Sequence, residues 1–123
     1  MLKERLDKRV KEYLEEKKRR EEAEKIKQDT ISNDAQRIWN QLSEHFESLD
    51  DSQLAEGVEF DVRREGYYLG DSNVIVRFKE NAKYFEETLE KVMELAKADG
   101  IKSVKQETIK VYYFKYIPNI KAD

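Results

Sequence analysis

The sequence predicts an α+β fold, with a small antiparallel sheet of four to five strands packed by helices and preceded by a charged N-terminal helical arm. Two patterns lead to this prediction. Apolar residues recur at helical spacing in three stretches, and they alternate with polar residues in the segments between positions 58 and 79. Because 123 residues suffice for one compact domain with an appended helix, we expect residues 1–28 to form the arm and residues 29–123 the domain.

The arm combines a short apolar stripe with many charges. Residues three and four apart form the stripe: Leu2, Leu6, Val10, Tyr13 and Leu14. Ala23 is the only apolar residue from Glu15 to Lys25, so this stretch relies on ion pairs between residues four apart, each worth about 0.2–0.5 kcal/mol. We therefore expect a projecting, partly frayed helix that can be flexible. Its predicted partner-binding residues form a basic cluster: Lys17, Lys18, Arg19 and Arg20.

A second helix is predicted over about residues 34–48. Polar residues interrupt the pattern between Asp29 and Asn33, and Asn33 and Gln36 have the spacing of a capping box. The apolar residues that follow at helical spacing should pack on the core: Ile38, Trp39, Leu42, Phe46 and Leu49. His45 lies beside them, and because the chain has no second histidine and no cysteine, we assign it no chemistry.

The remaining elements follow from changes of period. Strands are predicted at 58–63, 67–69 and 74–79, with Gly66 and the residues 70–73 as turns between them. Asn81 can cap a third helix, which should end at Gly100 and cover the sheet with one apolar face. Residues 101–104 and 108–117 then complete the sheet, and Pro118 cannot continue ladder pairing in a central strand.

The last strand has apolar or aromatic residues on both faces. We expect one face to meet a helix and the other to remain available for a protein partner or for stacking on bases. This second face carries the other predicted partner-binding residues: Lys110, Tyr112, Phe114 and Tyr116. The alternative is that the same face packs under the second helix, against Trp39 and Phe46.

Composition excludes several classes of function. The 24 basic and 27 acidic residues give a net charge of -3, which lacks the bulk positive charge that most nucleic-acid binders use. Without cysteine, and without a glycine-rich phosphate loop or a hydrolase motif, the sequence predicts no enzyme, no metal site and no cofactor. No apolar run approaches the roughly 18 residues of a membrane span, so we expect a cytoplasmic protein without membrane contact.

Scattered residues between positions 35 and 117 carry a resemblance to a known family. They are Ala35-Gln36, Leu42, Phe46-Glu47, Leu49-Asp50, Ile75-Val76, Lys79, the helix from Phe85, Ile109-Lys110 and Tyr112-Tyr113. In these residues and in element order, the chain resembles a phage-encoded broad-spectrum inhibitor family of Cas9, a type II-A anti-CRISPR. The resemblance implies binding to Cas9 or to its guide RNA complex, which prevents target DNA cleavage in the cytoplasm of a bacterial host.

The arm differs from what this family implies. The family has a strongly basic, flexible N-terminal segment, whereas residues 1–28 hold 11 basic and 8 acidic side chains. Two alternatives therefore remain. One is a small nucleic-acid-binding module, in which the basic cluster makes a local contact with phosphates and the aromatic last strand stacks on bases. The other is a DNA mimic that uses the acidic residues of the middle of the chain: Asp50, Asp51, Glu56, Glu59 and Asp61.

Overall fold

The computed structural model describes residues 1–63, 66–68, 75–76, 83–108 and 111–118. Three helices are present in these ranges: α1 (Leu2–Ser48), α2 (Asp51–Glu56) and α3 (Phe85–Ala98). The strands are β1 (Val58–Arg63), β2 (Gly66–Tyr68), β3 (Ile75–Val76), β4 (Lys102–Gln106) and β5 (Val111–Tyr116). The predicted α+β class is confirmed.

All strand pairs are antiparallel, and the strands lie in the order β3-β2-β1-β5-β4. Within the described ranges, β1, β4 and β5 are the strands of five or six residues, and they form the three-stranded main part of the sheet. β2 and β3 extend it by segments of three and two residues. The last strand, β5, lies between β1 and β4, and its aromatic and apolar residues suit this position away from the edge of the sheet.

The core lies between one face of the sheet and two helices, the C-terminal part of α1 and α3. Three ring contacts join the layers. Phe46 of α1 lies 4.4 Å from Phe60 of β1 between ring centroids, Trp39 lies 6.4 Å from Phe114, and Phe85 of α3 meets Tyr112 edge-on at 6.3 Å. The aliphatic residues that fill the space between these rings are Ala35, Ile38, Leu42, Val62, Leu89, Val92 and Ala96.

The predicted break between Asp29 and Asn33 is wrong, because α1 is one helix of 47 residues. Neither glycine nor proline occurs in it, so no residue forces the backbone out of helical geometry. Thr30 lies within the helix and donates its Oγ1 hydrogen to the Ile26 carbonyl, one turn earlier, at 2.8 Å. Gln36, expected to reach back to a cap, instead donates to the Asn40 side chain at 2.8 Å. Ile31, which lies between Asp29 and Asn33, is buried in the core, so this stretch of α1 packs on the domain.

Two other predicted elements agree with the structure, and one helix in the structure has no predicted counterpart. The strand predicted at 58–63 and the apolar face of the third helix are confirmed. That helix begins at Phe85, and Asn81, the predicted cap, lies outside the described residues. α2 was not predicted. Its signal is a capping box, in which the Asp50 carboxylate accepts from the Gln53 amide at 2.8 Å and the Gln53 side chain accepts from the Asp50 amide at 3.1 Å.

A hydrogen bond between side chains fixes α1 against the end of α3. The Trp39 indole N–H donates to Oδ2 of Asp99 at 2.6 Å, across 60 positions of sequence. Asp99 is also the C-cap residue of α3, and its backbone amide donates to the last turn. The bond therefore joins the C-terminal part of α1 to the C-terminus of α3 and satisfies a partly buried indole.

We expect Asp99→Ala to lower the free energy of unfolding by about 1–2 kcal/mol, because a partly buried indole N–H then lacks its acceptor. Asp99→Asn retains an acceptor oxygen and should recover most of the loss. Urea denaturation monitored by circular dichroism measures both. Equal destabilisation by the two substitutions would contradict a role for the hydrogen bond.

Among the described residues, Tyr112 is the largest side chain that is fully buried, and its hydroxyl has no hydrogen-bond partner there. Burial raises the pKa of this hydroxyl above its usual value of 10.0, an effect that the neighbouring Lys105 ammonium partly offsets. The interaction between the Lys105 ammonium and the Tyr112 hydroxyl also raises the pKa of Lys105 above its usual value of 10.5. Lys105 lies 5.5 Å from the centroid of the tyrosine ring and pairs with Glu90 of α3 at 3.6 Å.

The free energy of unfolding should therefore fall as the pH rises above about 10. An unfolded Tyr112 loses its proton near that pH while the folded one retains it, so unfolding releases a proton, with a slope of at most about 1.4 kcal/mol per pH unit for this group. The raised pKa of Lys105 acts in the same direction. Urea denaturation between pH 8 and 11 tests this, since Tyr112→Phe should flatten the decline. Tyr13→Phe, in the exposed arm, is the matched control, and identical pH dependence in the two variants would contradict the account.

Candidate partner-binding site

The predicted aromatic contact surface on the last strand is wrong in its central residues. Tyr112 and Phe114 are fully buried, because strand register places them beside Val62 and Phe60 on the sheet face that the helices cover. Tyr116 is half-buried and packs against the core, and Lys110 lies outside the described residues. The alternative that this face packs under the helix carrying Trp39 and Phe46 is the correct one.

The opposite face of the sheet is polar and largely paired within itself. Lys115 binds Glu59 at 3.2 Å and lies 5.8 Å from the ring centroid of Tyr113. The Tyr113 hydroxyl donates to Gln106 on the neighbouring strand at 3.2 Å. Such pairs across strands stabilise a solvent-facing sheet. Among the described side chains of this face, the aromatic side chain of Tyr113 is therefore engaged by Lys115 and Gln106.

The arm projects from the domain as the first part of α1. Every residue from 1 to 26 is exposed, and the first partly buried side chain is Lys27, whose ammonium lies 5.2 Å from the ring centroid of Tyr84. At a rise of about 1.5 Å per residue, these 26 residues extend roughly 39 Å along the helix axis. The arm is therefore a long helix held to the domain at its C-terminal end.

The apolar stripe of the arm is exposed along its whole length. Leu6, Val10 and Leu14 are 44, 56 and 55% exposed. A soluble helix normally buries such a stripe against another surface, and a row of exposed apolar residues is typical of an interaction site.

The stripe lies on the same side of α1 as the residues that face the core. Each stripe residue from Leu6 onward has a core counterpart 25 positions later: Leu6 and Ile31, Val10 and Ala35, Tyr13 and Ile38, Leu14 and Trp39. At 3.6 residues per turn, positions 25 apart differ by only about 20° around the helix. The face of α1 that covers the sheet thus continues beyond the domain as an exposed apolar face.

The basic cluster is exposed, as predicted, but it does not form a flat positive surface. Successive residues turn by about 100°, so four consecutive basic residues surround the helix instead of lining one side. Acidic residues lie before and after it, and residues 15–24 contain four basic and five acidic side chains. Within the cluster, Arg20 is paired with Glu16 at 3.5 Å. The arrangement is therefore poorly suited to a row of phosphates.

The acidic residues proposed for DNA mimicry are partly engaged in the fold. Hydrogen bonds from the Gln53 amide and from Ser52 lower the pKa of Asp50, whose carboxylate caps α2. Glu59 is paired with Lys115, and Asp61 with Arg63 at 3.1 Å. Asp51 and Glu56 are exposed on α2. The carboxylates therefore do not form one free array.

Comparisons with known proteins do not place this chain in a family. No protein-family model matches the chain, and no curated protein or solved structure is significantly similar to it. In the part of the chain that the structure describes, no group of three or more histidine, cysteine, aspartate or glutamate side chains is placed to hold a metal ion. Among the same residues, no helix is both long and apolar enough to cross a membrane.

The apolar stripe is evident in the sequence, but the predicted partner-binding residues are others. The missed signal is the spacing of 25 between stripe and core residues, which shows that both lie on one helical face once α1 is known to be continuous. The strongest candidate site is therefore the apolar stripe, with the basic cluster following it along the same helix.

Proposed function

We propose that the protein is a non-catalytic phage or mobile-element protein that binds and inhibits a host defence nuclease, Cas9 or its complex with guide RNA. It acts through its arm and prevents cleavage of target DNA. The identity of the nuclease rests on the resemblance of residues 35–117 to the type II-A anti-CRISPR family. The mode of binding rests on one observation, the exposed apolar stripe on a projecting helix.

An amphipathic helix that lays its apolar residues into a groove is a common mode of protein recognition. Spacings of four between Leu2, Leu6, Val10 and Leu14 provide the anchors for this mode. The charged residues around the stripe then contribute at the rim, where complementary charge mainly affects the association rate and the choice of partner. The inhibitor in this proposal covers a functional surface of the nuclease and performs no chemistry.

The alternative function, a small nucleic-acid-binding module, has less support. Its base-stacking half required Tyr112 and Phe114, which are fully buried. Its phosphate-binding half requires the basic cluster, which is surrounded by carboxylates. A local contact between the cluster and the guide RNA of a nuclease complex remains compatible with the proposal.

We expect Leu6→Gln combined with Val10→Gln to raise the concentration needed for half-maximal inhibition of Cas9 target cleavage at least tenfold. The two changes remove apolar anchors and leave the net charge unchanged, and both residues are exposed, so the core is not touched. The assay titrates purified protein into guide-loaded Cas9 with a fixed amount of target DNA, and a gel with free guide RNA is run beside it.

The matched control is Lys8→Gln combined with Glu12→Gln, which also leaves the net charge unchanged and lies on the side of the same helical turns that faces away from the stripe. The control should inhibit as the unmodified protein does. Equal inhibition by the stripe variant and the control would contradict binding through the stripe. Absence of inhibition by the unmodified protein across several Cas9 orthologues would overturn the proposed target, and a shifted band of free RNA would favour the nucleic-acid-binding module.

A further inference from the structure

A groove runs along the edge of the sheet between α3 and β4. It has a volume of about 680 Å³, and we call it the edge groove. The partly buried residues Met93 and Ile101 contribute apolar surface, and Val104, which is 52% exposed, lies at its border. β4 pairs with β5 on one side, and among the described residues no strand pairs with its other side. A strand edge of this kind offers backbone donors and acceptors to an incoming extended chain.

The charges around the edge groove are not balanced. Its two carboxylates are already engaged, Glu90 with Lys105 and Glu94 with Lys91, each at 3.6 Å. Lys97 and Lys102 also line the groove, and neither has an ion-pair partner among the residues that the structure describes. Among the described residues, Lys97 on the α3 side and Lys102, which strand register places on the opposite face of β4, therefore carry charges without an acidic partner.

Strand register shows which residues lie opposite Lys102. Lys102 is directly opposite Lys115 on β5, and Lys115 is opposite Glu59 on β1. Like charges on directly opposite positions are unfavourable, and here only Lys115 has an acidic partner. A strand added beside β4 would place one of its side chains opposite Lys102, where a carboxylate would complete the row.

We propose that the edge groove binds an extended peptide segment of a partner protein, which adds to β4 as an antiparallel strand. The residue opposite Lys102 is acidic. The residue that precedes it in the partner lies opposite Ser103, faces the helix side and inserts an apolar side chain between β4 and α3. The residue opposite Val104 is apolar and covers that exposed side chain. Recognition thus combines backbone pairing with alternate side chains, as in other cases of strand addition.

A second copy of this protein does not fit as the occupant. The sequence of β4 is Lys-Ser-Val-Lys-Gln, so a pair of β4 edges brings four lysines together and supplies no carboxylate. Lysines on edge strands are a common protection against such self-pairing. The charges therefore favour a partner of different sequence. This proposal is independent of the arm and of the identity of the nuclease.

The test uses the full chain, labelled with nitrogen-15, and the blocked peptide acetyl-Thr-Thr-Val-Leu-Glu-Thr-Thr-amide. Titration should give saturable shifts of backbone amide signals from residues 102–106 and 90–97. The peptide should no longer bind when it is N-methylated at the alternate backbone nitrogens that would face β4. Absence of saturable shifts at β4, or equal binding of the methylated peptide, would overturn the proposal.

Charge reversal tests the contact with Lys102. Lys102→Glu should weaken binding of the glutamate peptide about threefold to tenfold and favour the peptide with lysine in place of glutamate. Lys25→Glu makes the same change in net charge on the exposed part of α1, away from the residues that line the groove, so it should bind as the unmodified protein does. Equal effects of the two substitutions would show that only net charge matters and would overturn the assigned contact. Comparing the spectra of the free variants verifies that both remain folded.

Discussion

The structure depends on one helix that belongs to two parts of the molecule. Between Ile31 and Phe46, α1 buries one face against the sheet and α3, which fixes its direction. Since α1 contains no glycine or proline, the same backbone continues into the arm without a point of bending. Burial of about four turns thus orients a helix roughly 39 Å long that by itself has little to bury. The position of the apolar stripe in space follows from packing of the core.

The candidate site could be predicted only in part from the sequence. The spacing of Leu2, Leu6 and Val10 indicates an amphipathic helix, but the sequence alone does not show that this face continues the core face of α1. The aromatic face of β5 was misassigned because both faces of that strand contain apolar residues. Only pairing with Phe60 and Val62 shows that Tyr112 and Phe114 are on the helix side. The edge groove was missed because it depends on which strand lies at the edge of the sheet.

The fold was more predictable than the site. Alternation identified β1, and helical spacing with Gly100 after the last turn identified α3. The errors in the helix boundaries are local, and they have a common cause in the capping motifs. Asn33 and Gln36 have the spacing of a capping box, yet they lie within α1, whereas the same type of motif at Asp50 and Gln53 does begin a helix. A capping motif gives about 1 kcal/mol, and burial of neighbours such as Ile31 and Ala35 outweighs it.

Continuity of α1 from the arm into the core is the central claim, and a distance across the predicted break tests it most directly. The chain has no cysteine, so Lys8→Cys combined with Glu44→Cys provides two unique sites for spin labels. For one continuous helix, pulsed electron paramagnetic resonance should give a narrow distribution of distances centred near 54 Å, from 36 residues at about 1.5 Å each. A broad distribution centred well below that distance would show a hinge between arm and domain and would contradict the account.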